Sequence, residues 1–138
     1  MKKYVFIIIS LSLCLNVIAA PLTKTGKCKL SGEKTVKVIL KNAKVQVLAE
    51  FKGGDFFGSS TLFAVPKVTN LAGKKMKLSY NVAFFDKKNK LLACTAQSGD
   101  IPADANGYQL GSALISLPAD VIKQIASYQL VIYELALK

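Results

Sequence analysis

The sequence has no histidine and no tryptophan, and all 19 of its basic residues are lysine, so arginine is missing too. Without imidazole there is no Ser-His-Asp or Cys-His pair, no His-bearing zinc site and no acid–base group that titrates near neutrality. Negative charge is scarce: eight carboxylates against 19 lysines give a formal net charge of +11. Those carboxylates (Glu33, Glu50, Asp55, Asp86, Asp100, Asp104, Asp120 and Glu134) are scattered, and no spacing pairs them for general acid–base work. The stretch Asp100–Gly107 has a faint calcium-loop composition, but its ligand spacing is wrong for an EF-hand and it lacks the closing glutamate. The glycine-rich run 53–60 lacks the GxxxxGK[ST] spacing of a phosphate loop. These absences predict a protein that is not an enzyme, with no cofactor and no metal.

Long apolar runs are also rare; the one present is at the N-terminus. Lys2 and Lys3 precede an apolar stretch from Tyr4 to Ile18, followed by Ala19 and Ala20. This is the pattern of a short bacterial secretory signal peptide, residues 1–19, cut after Ala19. The apolar run is about 15 residues, short of the ~20 that span a bilayer. Removal leaves residues 20–138, a length for one domain, with the net charge falling from +11 to +9 as Lys2 and Lys3 are lost. No later segment is long and apolar enough to span a membrane, so an exported product, periplasmic or secreted, is expected. Two of the three cysteines, Cys28 and Cys94, survive cleavage, and an even pair in an oxidising compartment predicts a disulfide. It would close a loop of about 67 residues and contribute on the order of 4 kcal/mol.

The dominant pattern in residues 20–138 is alternation with the strand period of two. Val36, Val38 and Leu40 alternate with lysines; beyond Asn42-Ala43 the apolar set moves to Val45, Val47 and Ala49, which demands a turn or a bulge. Residues 53–60 read as a loop, and Thr61–Val68 as a strand that Pro66 marks as an edge or a bulge. The clearest strand is Lys75–Phe85, with Met76, Leu78, Tyr80, Val82 and Phe84 inward and Lys75, Lys77, Ser79 and Asn81 outward. A polar hairpin, 86–90, returns the chain along Leu91–Gln97. Tyr108–Leu117 is a further strand, Pro118 opens a short helix to about Ala126, and Tyr128–Leu137 is the last strand. About seven strands with one short helix near the C-terminus predict an all-β, antiparallel, immunoglobulin-like sandwich.

The segment VTNLAGKKMKLSYNVAFFDKKNKLLACTAQ, residues 68–97, resembles the strand–turn–strand core of FxLYD-type and related immunoglobulin-like domains of bacterial envelope proteins. The matching residues are Asn70, Phe84, Phe85, Asp86 and Lys90. IASYQLVIYE is similar to the tyrosine corner of such folds, with Tyr128 in the corner position. The likeness covers about half of residues 20–138 and departs from the family in having no core tryptophan and little chain after Tyr128. It implies a binding or structural accessory module with no catalytic residues.

Two surface features are candidates for contact. Lys37, Lys41, Lys75 and Lys77 take outward strand positions and Lys87, Lys88 and Lys90 crowd one hairpin. If the strands share a sheet, these lysines form a cationic face for lipopolysaccharide, teichoic acid or nucleic acid. The alternative is that lysines only solubilise the sandwich and protect its edges. Phe56 and Phe57 are adjacent, so both cannot point inward from one strand, and one is available to a partner. The sequence thus predicts an exported module that engages an envelope protein through strands or end loops, or an anionic surface polymer through its lysines.

Overall fold

The computed structural model describes residues 19–31, 34–56 and 58–137. Among them the chain forms nine strands and one helix: β1 (Leu22–Lys27), β2 (Val36–Lys41), β3 (Val45–Phe56), β4 (Ser59–Asn70), β5 (Met76–Phe85), β6 (Leu91–Ile101), β7 (Tyr108–Gln109), β8 (Ala113–Ser116), α1 (Ala119–Gln124) and β9 (Ser127–Leu135). Every pairing is antiparallel. One sheet has the order β1-β9-β5-β6; the other runs β2-β3-β4, with the short β7 and β8 both on the far side of β4.

The inward alternation read for β5 is what the core uses. Met76, Leu78, Tyr80, Val82 and Phe84 share one buried cluster with Leu130 and Ile132 of β9, and with Val45, Val47, Ala49, Phe51, Leu62, Ala64 and Val68 from the opposite sheet. Each such side chain, fully buried, contributes about 1.5–3 kcal/mol. In place of a tryptophan, Phe51 bridges the layers. Its ring meets Phe84 edge-on at 5.1 Å and 87°, and lies 5.4 Å from Tyr128 at 53°. Such contacts add about 0.5–1.5 kcal/mol each beyond burial.

The count rises from about seven strands to nine for two reasons. Leu22–Lys27 pairs with β9 although its sequence, LTKTGK, has no apolar alternation. Tyr108–Leu117 is split into β7 and β8 at Gly111, whose φ of 65° leaves the extended region. The break lies beside Pro66: β7 pairs with Lys67 and Val68, and β8 with residues 61–64. Pro66 is therefore in an interior strand, at the point where its neighbour is interrupted and no proline amide is needed. The parity change at Asn42-Ala43 is a turn, in which Asn42 Oδ1 accepts from the amides of Lys44 (2.8 Å) and Val45 (2.9 Å).

Two expectations need correction. Residues 53–60 are not a loop: β3 runs through Gly53 and Gly54 to Phe56, and β4 begins at Ser59, preceded by Gly58 at φ 77°. Gly53 is required inside that strand because a Cβ there would stand 2.5 Å from Ile122 Cγ2 and 2.6 Å from Leu30 O. The disulfide is absent; Cys28 and Cys94 are free thiols. Register explains why. Cys28 belongs to the core cluster, whereas Cys94 pairs with Ala83, whose side chain is on the opposite face of the sheet with Phe85, Val131, Tyr133 and Leu135. The polar outward positions of β5 are buried as well: Ser79 and Asn81 lie on that second face, joined by a 3.2 Å hydrogen bond from Asn81 Nδ2 to Ser79 Oγ.

Candidate anion-binding site

Three segments converge at one end of the four-stranded sheet. The register places Phe85 opposite Ser127, and Ser127 opposite Lys27, so the end of β5, the start of β9 and the end of β1 are neighbours. Backbone hydrogen bonds carry the ladder past the strands: Cys28 N donates to Ala126 O at 3.0 Å and Ala126 N to Phe85 O at 2.8 Å. Next to them the β5–β6 hairpin is pinned by Asp86. One carboxylate oxygen, Oδ1, accepts from the amides of Lys88 (2.8 Å) and Lys90 (2.9 Å), and Asn89 takes the left-handed conformation at φ 60°. Lys87 and Lys88 are thereby fixed at the tip.

The third segment is the end of α1. The helix is short, with Pro118 before it, Asp120 in its first turn and Lys123 in its last, both favourable to the helix dipole. Ile122 and Ile125 are buried and seat it on the core, with Ile122 against Gly53. The same seat leaves Lys123 and Gln124 exposed.

Between the three segments lies an open crevice of about 1030 Å³, whose lining includes five lysines (Lys27, Lys29, Lys87, Lys88 and Lys123) and one carboxylate, Asp86. Four ion pairs form among the described residues: Lys37–Glu50, Lys67–Glu50, Lys44–Glu134 and Lys75–Asp100. None uses a crevice lysine. An array of ammonium groups that outnumbers its carboxylates along a concave surface concentrates positive potential and attracts polyanions. Lysine acts on phosphate as a flexible point charge, so such a site binds by charge density rather than by a fixed fork of donors. Cys28 lies in the crevice lining but is no nucleophile, because burial pushes its thiol up to about 11 and keeps it protonated.

The lysines expected to form one face are divided by the topology. Lys37 and Lys41 are on β2, in the five-stranded sheet, while Lys75 immediately precedes β5 of the other sheet and Lys77 lies at its start. Lys87 and Lys88 are at the far end of β5, roughly 30 Å from Lys77 at ~3.4 Å per residue, and only these two of the seven line the crevice. Lys90 ends the same hairpin. Phe57 and the side chain of Phe56 lie outside the described residues, as do residues 1–18 of the expected leader. Gly53 of β3 abuts Leu30 and Ile122, chain neighbours of the crevice residues Lys29 and Lys123. Among the described residues no three Cys, Asp or Glu side chains group as metal ligands, and no helix is long and apolar enough to cross a membrane.

Lys27, Lys29 and Lys123 were not legible as site residues. The first two flank Cys28 in a segment without periodicity, and the third looks like a helix-ending cation. The class the geometry defines is an all-β protein of two antiparallel sheets with a cationic crevice at one end. No protein-family model and no curated protein matches the chain.

Proposed function

We propose that the chain is an exported, non-enzymatic binding module of a bacterial cell envelope, and that it holds a phosphate-bearing surface polymer in the crevice. In this reading residues 1–19 are a cleaved signal peptide, and residues 20–138 form an immunoglobulin-like body related to FxLYD-type domains. The observation that carries it is that five lysines line one concavity and none of them forms an ion pair among the described residues, whereas Lys37, Lys44, Lys67 and Lys75 elsewhere on the body do. Lipopolysaccharide, teichoic acid and nucleic acid all present repeated phosphates, and a polymer of that kind binds such an array with strong salt dependence. The reading favours the anionic polymer over an envelope protein because five lysines line the crevice against one carboxylate, Asp86, a charge balance suited to repeated phosphates.

The test is chromatography of the exported protein on phosphate and heparin resins. Retention at low salt that is released only by high salt supports the proposal. Passage through both resins at low salt would end it.

A further inference from the structure

Glu134 stands where its strand would place an apolar residue. Leu130 and Ile132 point from β9 into the core cluster, and Glu134 follows them on the same face. Its side chain is only 14% exposed, and a carboxylate taken that far out of water needs positive partners. Glu50, shielded to a similar degree at 16%, has two lysines, Lys37 and Lys67. Among the described residues Glu134 has one: Lys44, from the turn between β2 and β3, at 3.1 Å.

The register of β1 marks where a second partner stands. Leu22 is opposite Ile132, so two residues nearer the start of the chain the same register sets Ala20 opposite Glu134. Ala19, Ala20, Lys44 and Glu134 all line one small cleft of about 20 Å³ at this end of the sheets. Among the described residues its lining holds no charged group besides Lys44 and Glu134. The expected cut of the leader falls between Ala19 and Ala20, at that cleft.

Resting on the reading of residues 1–19 as a cleaved leader, we propose that Glu134 is a binding site for the α-ammonium of the chain's own processed terminus, Ala20. In the precursor the Ala20 nitrogen is an uncharged amide. On cleavage, water adds across the Ala19–Ala20 bond, its oxygen to the Ala19 carbonyl carbon and its hydrogen to the Ala20 nitrogen. The new carboxyl group then loses a proton and the new amine gains one, which places a positive charge opposite Glu134. The pair pins the start of β1 to the end of β9. It acts where packing contributes little, since only Leu22 of LTKTGK packs on the core. Full stability of the body is thereby coupled to removal of the leader, whatever the crevice binds.

The test uses the exported protein, its first residue read by intact mass, with the Ala20 methyl followed by NMR through a pH titration. The α-amine pKa is expected about half a unit or more above the ordinary 7.7–8.0, and Glu134→Gln returns it to that range. Urea unfolding supplies a second measurement, against an otherwise identical chain with a short Gly-Ser extension before Ala20. A raised folded pKa stabilises fully below the ordinary amine value and the gain is lost as pH rises through the folded one. The chain beginning at Ala20 therefore resists more urea at about pH 6.5, and the difference vanishes near about pH 10. An exported protein that does not begin at Ala20 overturns both the proposal and the leader reading. An Ala20 amine that titrates in the ordinary range, one unmoved by Glu134→Gln, or equal resistance of the two chains at about pH 6.5 overturns the proposal alone.

Discussion

Lys37 and Lys67 approach a single carboxylate, Glu50, at 3.7 and 2.9 Å, on the outer face of the five-stranded sheet. At the end of the other sheet, five lysines share a crevice with one carboxylate, and that one already accepts two backbone amides. The two regions have the same residue type and opposite electrostatics. On the sheet, cross-strand register sets Lys37 directly opposite Glu50, so charge is neutralised locally. At the end, three segments distant in sequence are brought together by backbone ladders that take no account of side-chain charge. The difference teaches that a lysine-rich composition becomes a binding site only where topology converges lysines faster than it supplies carboxylates.

The largest test of this contrast removes the seat of the crevice. Gly53→Val drives a side chain into Ile122 and the Leu30 carbonyl and costs about 2–3 kcal/mol, read as a fall in melting temperature. Ile39→Ala, on the exposed sheet face, shifts stability by no more than about 0.5 kcal/mol. Next come the thiols. Cys94 is exposed and Cys28 buried, so alkylation near pH 8 proceeds about a hundredfold faster at Cys94, and unreduced mass spectrometry finds both thiols free. Burial raises the Cys28 pKa to about 11. Its neutral form is thus favoured by folding, and its contribution to stability is full below the ordinary thiol range and lost as pH rises toward 11.

The sharpest test compares two triple variants with equal loss of charge. Lys87→Ala, Lys88→Ala and Lys123→Ala together weaken retention of a phosphate polymer by about tenfold and lower the salt slope by about two to three. Lys37→Ala, Lys67→Ala and Lys75→Ala together change affinity less than about twofold, since these lysines are already paired. Equal losses from both sets would mean that binding follows net charge alone. The smallest effect concerns Glu50, whose carboxyl is held below its ordinary range, first by the Lys67 hydrogen bond and then by the charges of Lys67 and Lys37. A lowered folded pKa stabilises above the ordinary glutamate value and is lost as pH falls from about 4.3 through the folded one. Glu50→Gln therefore costs a few tenths of a kcal/mol at neutral pH, and the cost shrinks as pH falls below the ordinary glutamate range, measured by urea unfolding.

Much of the fold was legible because alternation is a local property. β5 shows it most plainly: Met76 to Phe84 point inward as read, and the strand pairs along its whole length. β1 was not legible, since only Leu22 of LTKTGK packs on the core and the strand is held by its backbone bonds to β9. Gly53-Gly54 looked like a loop because glycine is usually punctuation; here it clears space for Ile122, a residue about seventy positions away. The lysine site was half legible. The hairpin pair Lys87 and Lys88 was found by crowding, but Lys27, Lys29 and Lys123 join them only through the contact of β1, β9 and the end of α1.

By itself, the sequence determined that the body would be β-built, with one short helix near its end. The period of two and the turn residues are properties of neighbours along the chain. Tertiary structure alone decided which lysines stand together and that Cys28 and Cys94 stand apart. Those facts depend on which face of which strand each residue occupies, and register between distant segments is set by packing of the whole core.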